Sequence, residues 1–420
     1  MHITSLLAAS LAMASVPGAM AYPGMGEQMA DIKARTSNSG ESTELLGDLV
    51  TLKDRDLTNV GKDVKRLLQG KGNPQSDDRY SSVPNLTSDK CKKDTCCVWR
   101  YVADDMYKFM AGSSGRCTSL ARGAVRLGFH DAGTWSKATA GQGGGADGSI
   151  LLAAGEIDRF ENRGLQEVAA KFNELYGKYK GMGWDIGMGD FIQMGANVAT
   201  VVCPLGPRIK TYVGRKDSST PAPTGLLPSP FQPADQLIQL FRDKTISPHG
   251  LVALLGAHTT SQQQFVNTSR AGDPQDSTPG VWDVLYYKET LSPNSPPRVF
   301  KFPSDIFLSQ HPETSKEFRD FAGIGGQQHW NEASFPPSPP DDYAREYIRL
   351  SLLGVNNINQ LVECTKVLPP AVRGFRIIDQ FKLDKWLNSV GNKGAAKKVA
   401  DDIAKGDPAS VEVPPVNNKN

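Results

Sequence analysis

Arg126 and His130 stand four residues apart in the run LARGAVRLGFHDAG, with Phe129 and Asp131 flanking the histidine. On a helix that spacing puts the guanidinium and the imidazole on one face. No carboxylate separates them, so the like charge drives the imidazole toward its neutral form. A neutral imidazole beside a fixed cation is suited to taking up a proton while the cation holds the charge that develops. A second histidine, His258, closes the strongly apolar run GLVALLGAHTTS. Alone, such a residue reads as a satisfied core histidine. The chain has only six histidines, however, and two of them fall in buried-looking runs with polar neighbours. One could ligate a metal or cofactor while the other works opposite it. The zinc-protease spacing H-E-x-x-H and the hydrolase elbow G-x-S-x-G are both absent.

The segments that must position these residues read mainly as helices. They are VWRYVADDMYKFM, CTSLARGAVRLGFH, EIDRFENRGLQEVAAKFNELYGKY, DFIQMGANVATVV, ADQLIQLFRDK, PHGLVALLGAH, DIFLSQHPETSKEFRDFAG and DDYAREYIRLSLLG. Ser247-Pro248 has the chemistry of an N-cap followed by a first-turn proline for the helix ending near His258. Strand signals are few, and the connections, such as SSTPAPTGLLPSP and FPPSPPDD, are rich in Gly and Pro. The expected fold class is all-α, with little β-structure and no internal repeat.

The chain has 420 residues, 39% of them hydrophobic, and a net charge of +2. This composition suits a soluble globular protein. No polybasic block points to nucleic acid, and no apolar run is long enough to span a bilayer. The apolar stretch Ile3 to Val16, followed by Ala19-Met20-Ala21, reads as a secretory signal peptide over residues 1–21, despite an n-region without Lys or Arg. Residues 22–90 are polar and free of cysteine up to their end, and are expected to be a propeptide or flexible arm. The main domain is expected over 91–372, and a loosely attached extension over 373–420. Secretion favours disulfides among Cys91, Cys96, Cys97, Cys117, Cys203 and Cys364. Cys96 and Cys97 are neighbours and would be strained if bridged, so they point to different partners. The spacing leaves the pairing open. Asn85-Leu86-Thr87 and Asn267-Thr268-Ser269 are glycosylation acceptors.

Taken together, RLGFHDAG followed by GGGADGSI resembles the distal-side signature of fungal secretory haem peroxidases, class II of the plant-type superfamily. LVALLGAHTT resembles their proximal-histidine helix, and DSTPGVWD their second calcium segment. GDFIQMGANVAT, APTGLLPSPF and LVECTKVLP also resemble that family, and the motifs keep its order from about Cys91 to about Pro370. The resemblance implies two helical halves holding haem b between them, two calcium ions, and one-electron oxidation of small phenolic or aromatic reductants by hydrogen peroxide.

By that resemblance His130 is the distal acid–base catalyst, Arg126 the group that stabilises the charge on the breaking O–O bond, and Phe129 the apolar wall over the haem. Asn162 of FENRGL matches the asparagine that orients His130; a helix C-cap before Gly164 is its bland alternative. His258 matches the axial ligand of the iron, and Asp305 of FPSDIFLSQ the carboxylate behind it; an N-cap is the bland alternative there. Asp131, the Gly145 carbonyl, Asp147 and Ser149 match the distal calcium ligands. Thr259, Asp276, Thr278, the Val281 carbonyl and Asp283 match the proximal ones. The implied disulfides are Cys91–Cys97, Cys96–Cys364 and Cys117–Cys203, with both cysteines of a fourth family bridge absent.

Departures from the family pattern bear on the substrate. Manganese-oxidising members carry two glutamates and an aspartate where Thr118, Arg122 and Ser261 stand, so the usual manganese site is not expected. Lignin-type members expose a tryptophan where Ala253 stands. Trp282, Tyr286 and Tyr287 are candidates for a surface radical, with core packing as the plainer role. Gln275 replaces an aromatic residue beside the proximal calcium segment, which bears on packing and redox potential. The expected molecule is a secreted monomer. Its rivals are a catalytically idle calcium- or haem-binding protein of the same fold and a non-haem metal hydrolase.

Overall fold

Helices dominate because apolar residues recur at helical spacing and most helices start on a side-chain cap or a proline. The computed structural model describes residues 40–331, 342–389 and 394–414. The expected signal peptide lies outside these residues. The distal helix, Ser119–Ala132, begins on Thr118, whose hydroxyl accepts from the Ala121 N–H. The proximal helix, Pro248–Leu255, begins on Ser247, whose hydroxyl accepts from the Gly250 N–H, and runs on as a 3-10 turn over Gly256–Thr260. Helix Met188–Val202 is buried at every position and forms the central post of the core. The distal helix and helix Cys97–Met110 both pack on this post. At Gly128 a Cβ would sit 2.5 Å from Tyr347 Oη and 2.7 Å from Ala196 Cβ, so only glycine allows this approach. The proximal helix packs on helix Asp342–Leu350. Among the described residues the sheet is one antiparallel pair, Tyr212–Val213 with Val362–Glu363, in register Tyr212↔Glu363. No described helix is long and apolar enough to cross a membrane.

The three disulfides are Cys91–Cys97, Cys96–Cys364 and Cys117–Cys203. The last closes a separation of 86 residues. In a chain-entropy model such a loop contributes about 4–5 kcal/mol.

Three expectations need correction. The extension before Cys91 is not a loose arm over its described part. Leu46, Leu49, Val64, Leu67 and Leu68 enter the main core. Arg349 fastens the segment by donating to the carbonyls of Ser42 at 2.6 Å, Glu44 at 2.8 Å and Leu68 at 2.7 Å. The scattered leucines belong to an amphipathic helix, Asn59–Leu68, capped by Thr58. The C-terminal extension is also packed. Leu383, Trp386, Leu387, Val399 and Ile403 form a small core of their own, and Asp379 pairs with the buried Arg116. Polar composition hid both segments, because each buries only one narrow apolar face. Finally, DIFLSQHPETSKEFRDFAG forms two helices, Pro303–Gln310 and Ser315–Ala322. His311 is extended, with ψ of 140°, because Pro312 follows it.

Candidate active site

The distal and proximal helices line opposite sides of a cavity of about 1060 Å³, with His130 and His258 both in its wall. On the distal side, Asn162 Nδ2 donates to the Glu156 carbonyl at 2.7 Å. That bond fixes the amide, so its Oδ1 faces His130 and accepts from Nδ1 at 2.8 Å. The proton of a neutral His130 is therefore on Nδ1, and Nε2 is left as the basic atom. Arg126 Nε donates to that Nε2 at 3.1 Å. The remaining Arg126 nitrogens donate to the carbonyls of Arg163 at 2.7 Å and Glu161 at 2.9 Å. Burial, then the Arg126 charge, hold His130 well below its ordinary pKa, and the bond from Asn162 opposes them. Sequence reasoning named the Arg126 charge; burial is the larger cause. Burial brings Arg126 itself down only to about 10, so it stays cationic. Phe129 stacks on Phe241, with centroids 6.1 Å apart, and meets His130 edge-on at 5.7 Å.

On the proximal side, His258 Nδ1 lies 3.2 Å from Asp305 Oδ2. Asp305 is completely buried, whereas the His258 side chain is 31% exposed toward the cavity. Tyr286 and Phe302 clamp the imidazole edge-on at 5.5 and 5.6 Å. Gln275 Nε2 donates to the same Asp305 Oδ2 at 3.0 Å, and its own Oε1 accepts from the Ser261 hydroxyl.

Each histidine is followed by a knot of oxygens. Behind His130, Asp131 is fully buried. Its Oδ2 accepts from the Gly148 N–H at 3.1 Å, while its Oδ1 has no hydrogen-bond partner. Asp147 Oδ1 accepts from the Ser149 N–H at 3.0 Å, and Ser149 Oγ reaches Glu156 at 3.4 Å. The Ala146 N–H ties the Gly145 segment to the Leu353 carbonyl at 2.9 Å. Behind His258, the Thr259 hydroxyl meets Asp276 at 2.5 Å, the Val281 carbonyl at 3.4 Å and Asp283 at 3.4 Å. Thr278 Oγ1 lies 2.9 Å from Asp283. Burial, then each other's charge, hold Asp131 and Asp276 well above the ordinary carboxylate range. The structure thus draws together every residue singled out from the sequence. Sequence reasoning missed Glu156, whose carbonyl orients Asn162, and the bond from Gln275 to Asp305. Neither belongs to a recurrent spacing.

A family model described as peroxidase matches residues 102–323. The chain belongs to the peroxidase family. It is 32% identical over 301 residues to the peroxidase of Arthromyces ramosus, covering 66% of this chain and 77% of the relative. It is 31% identical over 323 residues to the peroxidase of Coprinopsis cinerea, covering 71% and 83%. Ligninase C of Trametes versicolor is 31% identical over 297 residues, covering 65% and 75%. These relatives place this peroxidase among the fungal plant-type enzymes, and its mostly helical architecture agrees with that fold. It is a hydrogen-peroxide-dependent oxidoreductase, and the family implies haem. The residues present fit that group. An apolar cavity opens between two imidazoles, and the one on the proximal side has Nδ1 committed to a buried carboxylate and Nε2 left for iron.

Proposed function

We propose that this peroxidase reduces hydrogen peroxide at His130 and Arg126 and oxidises small aromatic or phenolic reductants at the mouth of the same cavity. Haem b, held through His258, would supply the two electrons that peroxide takes and recover them singly from the reductants. His130 Nε2 takes a proton from one peroxide oxygen and delivers it to the departing oxygen, which leaves as water. In the resting arrangement Nε2 accepts from Arg126 Nε, so the peroxide proton replaces a hydrogen bond already aimed at that atom. Arg126 then holds the negative charge on the departing oxygen. Asn162 keeps the reactive nitrogen on the cavity side throughout. Asp305 lends His258 imidazolate character, which favours oxidised iron. Phe129 forms the apolar wall. The observation that carries this reading is the bond chain Glu156–Asn162–His130–Arg126, which leaves one basic nitrogen on the cavity side.

Two calcium ions complete the reading, one held by Asp131, Gly145, Asp147 and Ser149, the other by Thr259, Asp276, Thr278, Val281 and Asp283. The orphaned buried Oδ1 of Asp131 and the crowding of Asp276 on Asp283 call for cations. Each ion would brace one histidine from the neighbouring residue. For the reductant, Phe160, Phe231 and Phe265 line the cavity and are 78%, 60% and 48% exposed. Arg163 lies 5.2 Å over Phe160 and 4.8 Å over Phe265. That rim suits flat aromatic molecules. Manganese is disfavoured at its usual place. Thr118 caps the distal helix, and Arg122 is a buried cation bonded to Gln262 at 2.5 Å. We further propose secretion as a monomer, with the exposed Asn85 and Asn267 open to glycosylation.

The test is stopped-flow spectroscopy of the haem-loaded, calcium-replete protein with one equivalent of hydrogen peroxide. The haem absorption should change rapidly, and His130→Ala should slow that change by roughly 10²–10⁴-fold. An unchanged rate in His130→Ala would remove His130 from the chemistry.

A further inference from the structure

A second cluster of ligand-type side chains lies outside the cavity lining, at the start of the proximal helix. Glu317 of helix Ser315–Ala322, His329 of helix Gly326–Asn331 and Asp342 at the start of helix Asp342–Leu350 each offer one atom, all within 4.8 Å of one another. Asp342 Oδ2 is 2.8 Å from His329 Nδ1, yet it accepts no hydrogen bond. The Asp342 side chain is 4% exposed, and its orphaned oxygen faces into the cluster. Glu317 Oε1 is likewise buried and accepts none. Atoms that approach to roughly 3 Å without hydrogen-bond alignment are spaced as neighbours around one small cation are spaced.

The outer oxygens of the two carboxylates are already taken. His249, in the first turn of the proximal helix, places Nδ1 3.2 Å from Glu317 Oε2 and Nε2 3.5 Å from Asp342 Oδ1. Its imidazole therefore stands behind both carboxylates and turns their other oxygens toward His329. The electrostatics agree. Glu41, Glu317, Asp342 and Glu346 gather here around Arg345 and Arg349, so four carboxylates face two guanidiniums. With both imidazoles neutral, two negative charges remain, which is what a divalent cation supplies. Burial works against a charged His249, but Asp342 and Glu317 outweigh it and hold the group well above its ordinary range. The cluster thus draws in positive charge where it can.

We infer that Glu317, His329 and Asp342 form a binding site for a divalent transition-metal ion, with His249 as a positioning residue behind them. One imidazole and two carboxylates suit zinc or a neighbouring first-row ion, and the nitrogen ligand disfavours calcium. The ion would tie three helices to the start of the helix that ends in His258.

The experiment is equilibrium dialysis of the full-length, haem-loaded protein against zinc in calcium-saturated buffer. Bound metal is counted by elemental mass spectrometry, and X-ray absorption at the zinc edge reads the donor atoms. One equivalent of zinc is expected, with one imidazole nitrogen among oxygen donors. His329→Gln and Glu317→Gln should each lose it, and His249→Gln should weaken it by about 10–100-fold. Wild-type protein that retains no zinc overturns the site. So does wild-type zinc without an imidazole donor, a result that needs no variant to fold. Zinc retained unchanged by His329→Gln would also overturn it.

Discussion

At the scale of single residues, the proximal side shows how one substitution redirects a charge. Gln275 and His258 both bond to Asp305 Oδ2. The more Gln275 takes of that oxygen, the less remains to polarise His258, and the less the oxidised iron is favoured. Replacing Gln275 with leucine removes a bond of about 1 kcal/mol. The midpoint potential of the haem-loaded protein should fall by roughly 40 mV for a one-electron couple, as read by spectroelectrochemical titration. An unchanged or higher potential would mean that Gln275 does not compete with His258. Lys244 offers a separate test. Its side chain is fully buried, its Nζ donates to the Trp135 carbonyl at 3.0 Å, and burial lowers its pKa to about 8 from an ordinary 10.5. Between these values the unfolded chain holds a proton that the folded one has shed, so stability rises with pH there. Below about pH 8 both forms are charged and the full penalty is present. Lys244→Met should therefore stabilise the protein at pH 7 by about 1–3 kcal/mol, with the gain gone above the ordinary lysine value. Denaturant titrations at neutral and alkaline pH would reveal the difference.

At the scale of elements, the two helices that carry the histidines are the parts most legible in the sequence. Thr118 and Ser247 are caps, and the apolar spacing after each is regular, so local chemistry and tertiary packing agree. Ser247→Ala should lower stability by about 1 kcal/mol, seen as a lower thermal midpoint with the haem pocket otherwise intact. A midpoint equal to wild type would show that packing on helix Asp342–Leu350 suffices without the cap. His130, Arg126 and His258 were legible for the same reason: their spacing is the spacing of a helix face. Asn162 sits on a short 3-10 turn, Phe160–Asn162, rather than in the long helix its surroundings suggest. Gly164 there has φ of +87°, which stops any helix from running through. The role of Glu156 was illegible because it acts through its backbone carbonyl, and a carbonyl carries no mark of residue type. The break at Pro312 was legible in principle, since the residue before a proline avoids helical geometry.

At the scale of the whole molecule, the two ends of the described chain were the least legible. Both are polar, and both are packed by a few apolar residues and by buried guanidiniums. Arg116 is 1% exposed and Asp379 6%, and both guanidinium nitrogens of Arg116 face that carboxylate. Removing the carboxylate leaves a buried cation unpaired. Asp379→Ala should therefore cost about 3–5 kcal/mol in denaturant unfolding, far more than a surface ion pair would. A loss below about 1 kcal/mol would return the C-terminal segment to the status of a loose tail. The beginning of the chain is held in a similar way, since Arg345 bonds to the carbonyls of Leu67 and Gly72 and Arg349 to those of Ser42, Glu44 and Leu68. These bonds join residues about 280–310 positions apart, and the Cys96–Cys364 bridge spans 268 more within that range. Contact order this high has a consequence during synthesis. Leu46, Leu49 and Leu67 leave the ribosome hundreds of residues before the guanidiniums that will seat them. The growing chain must carry those leucines uncovered until nearly all of it has emerged, and so depends on chaperones for most of the time it takes to make.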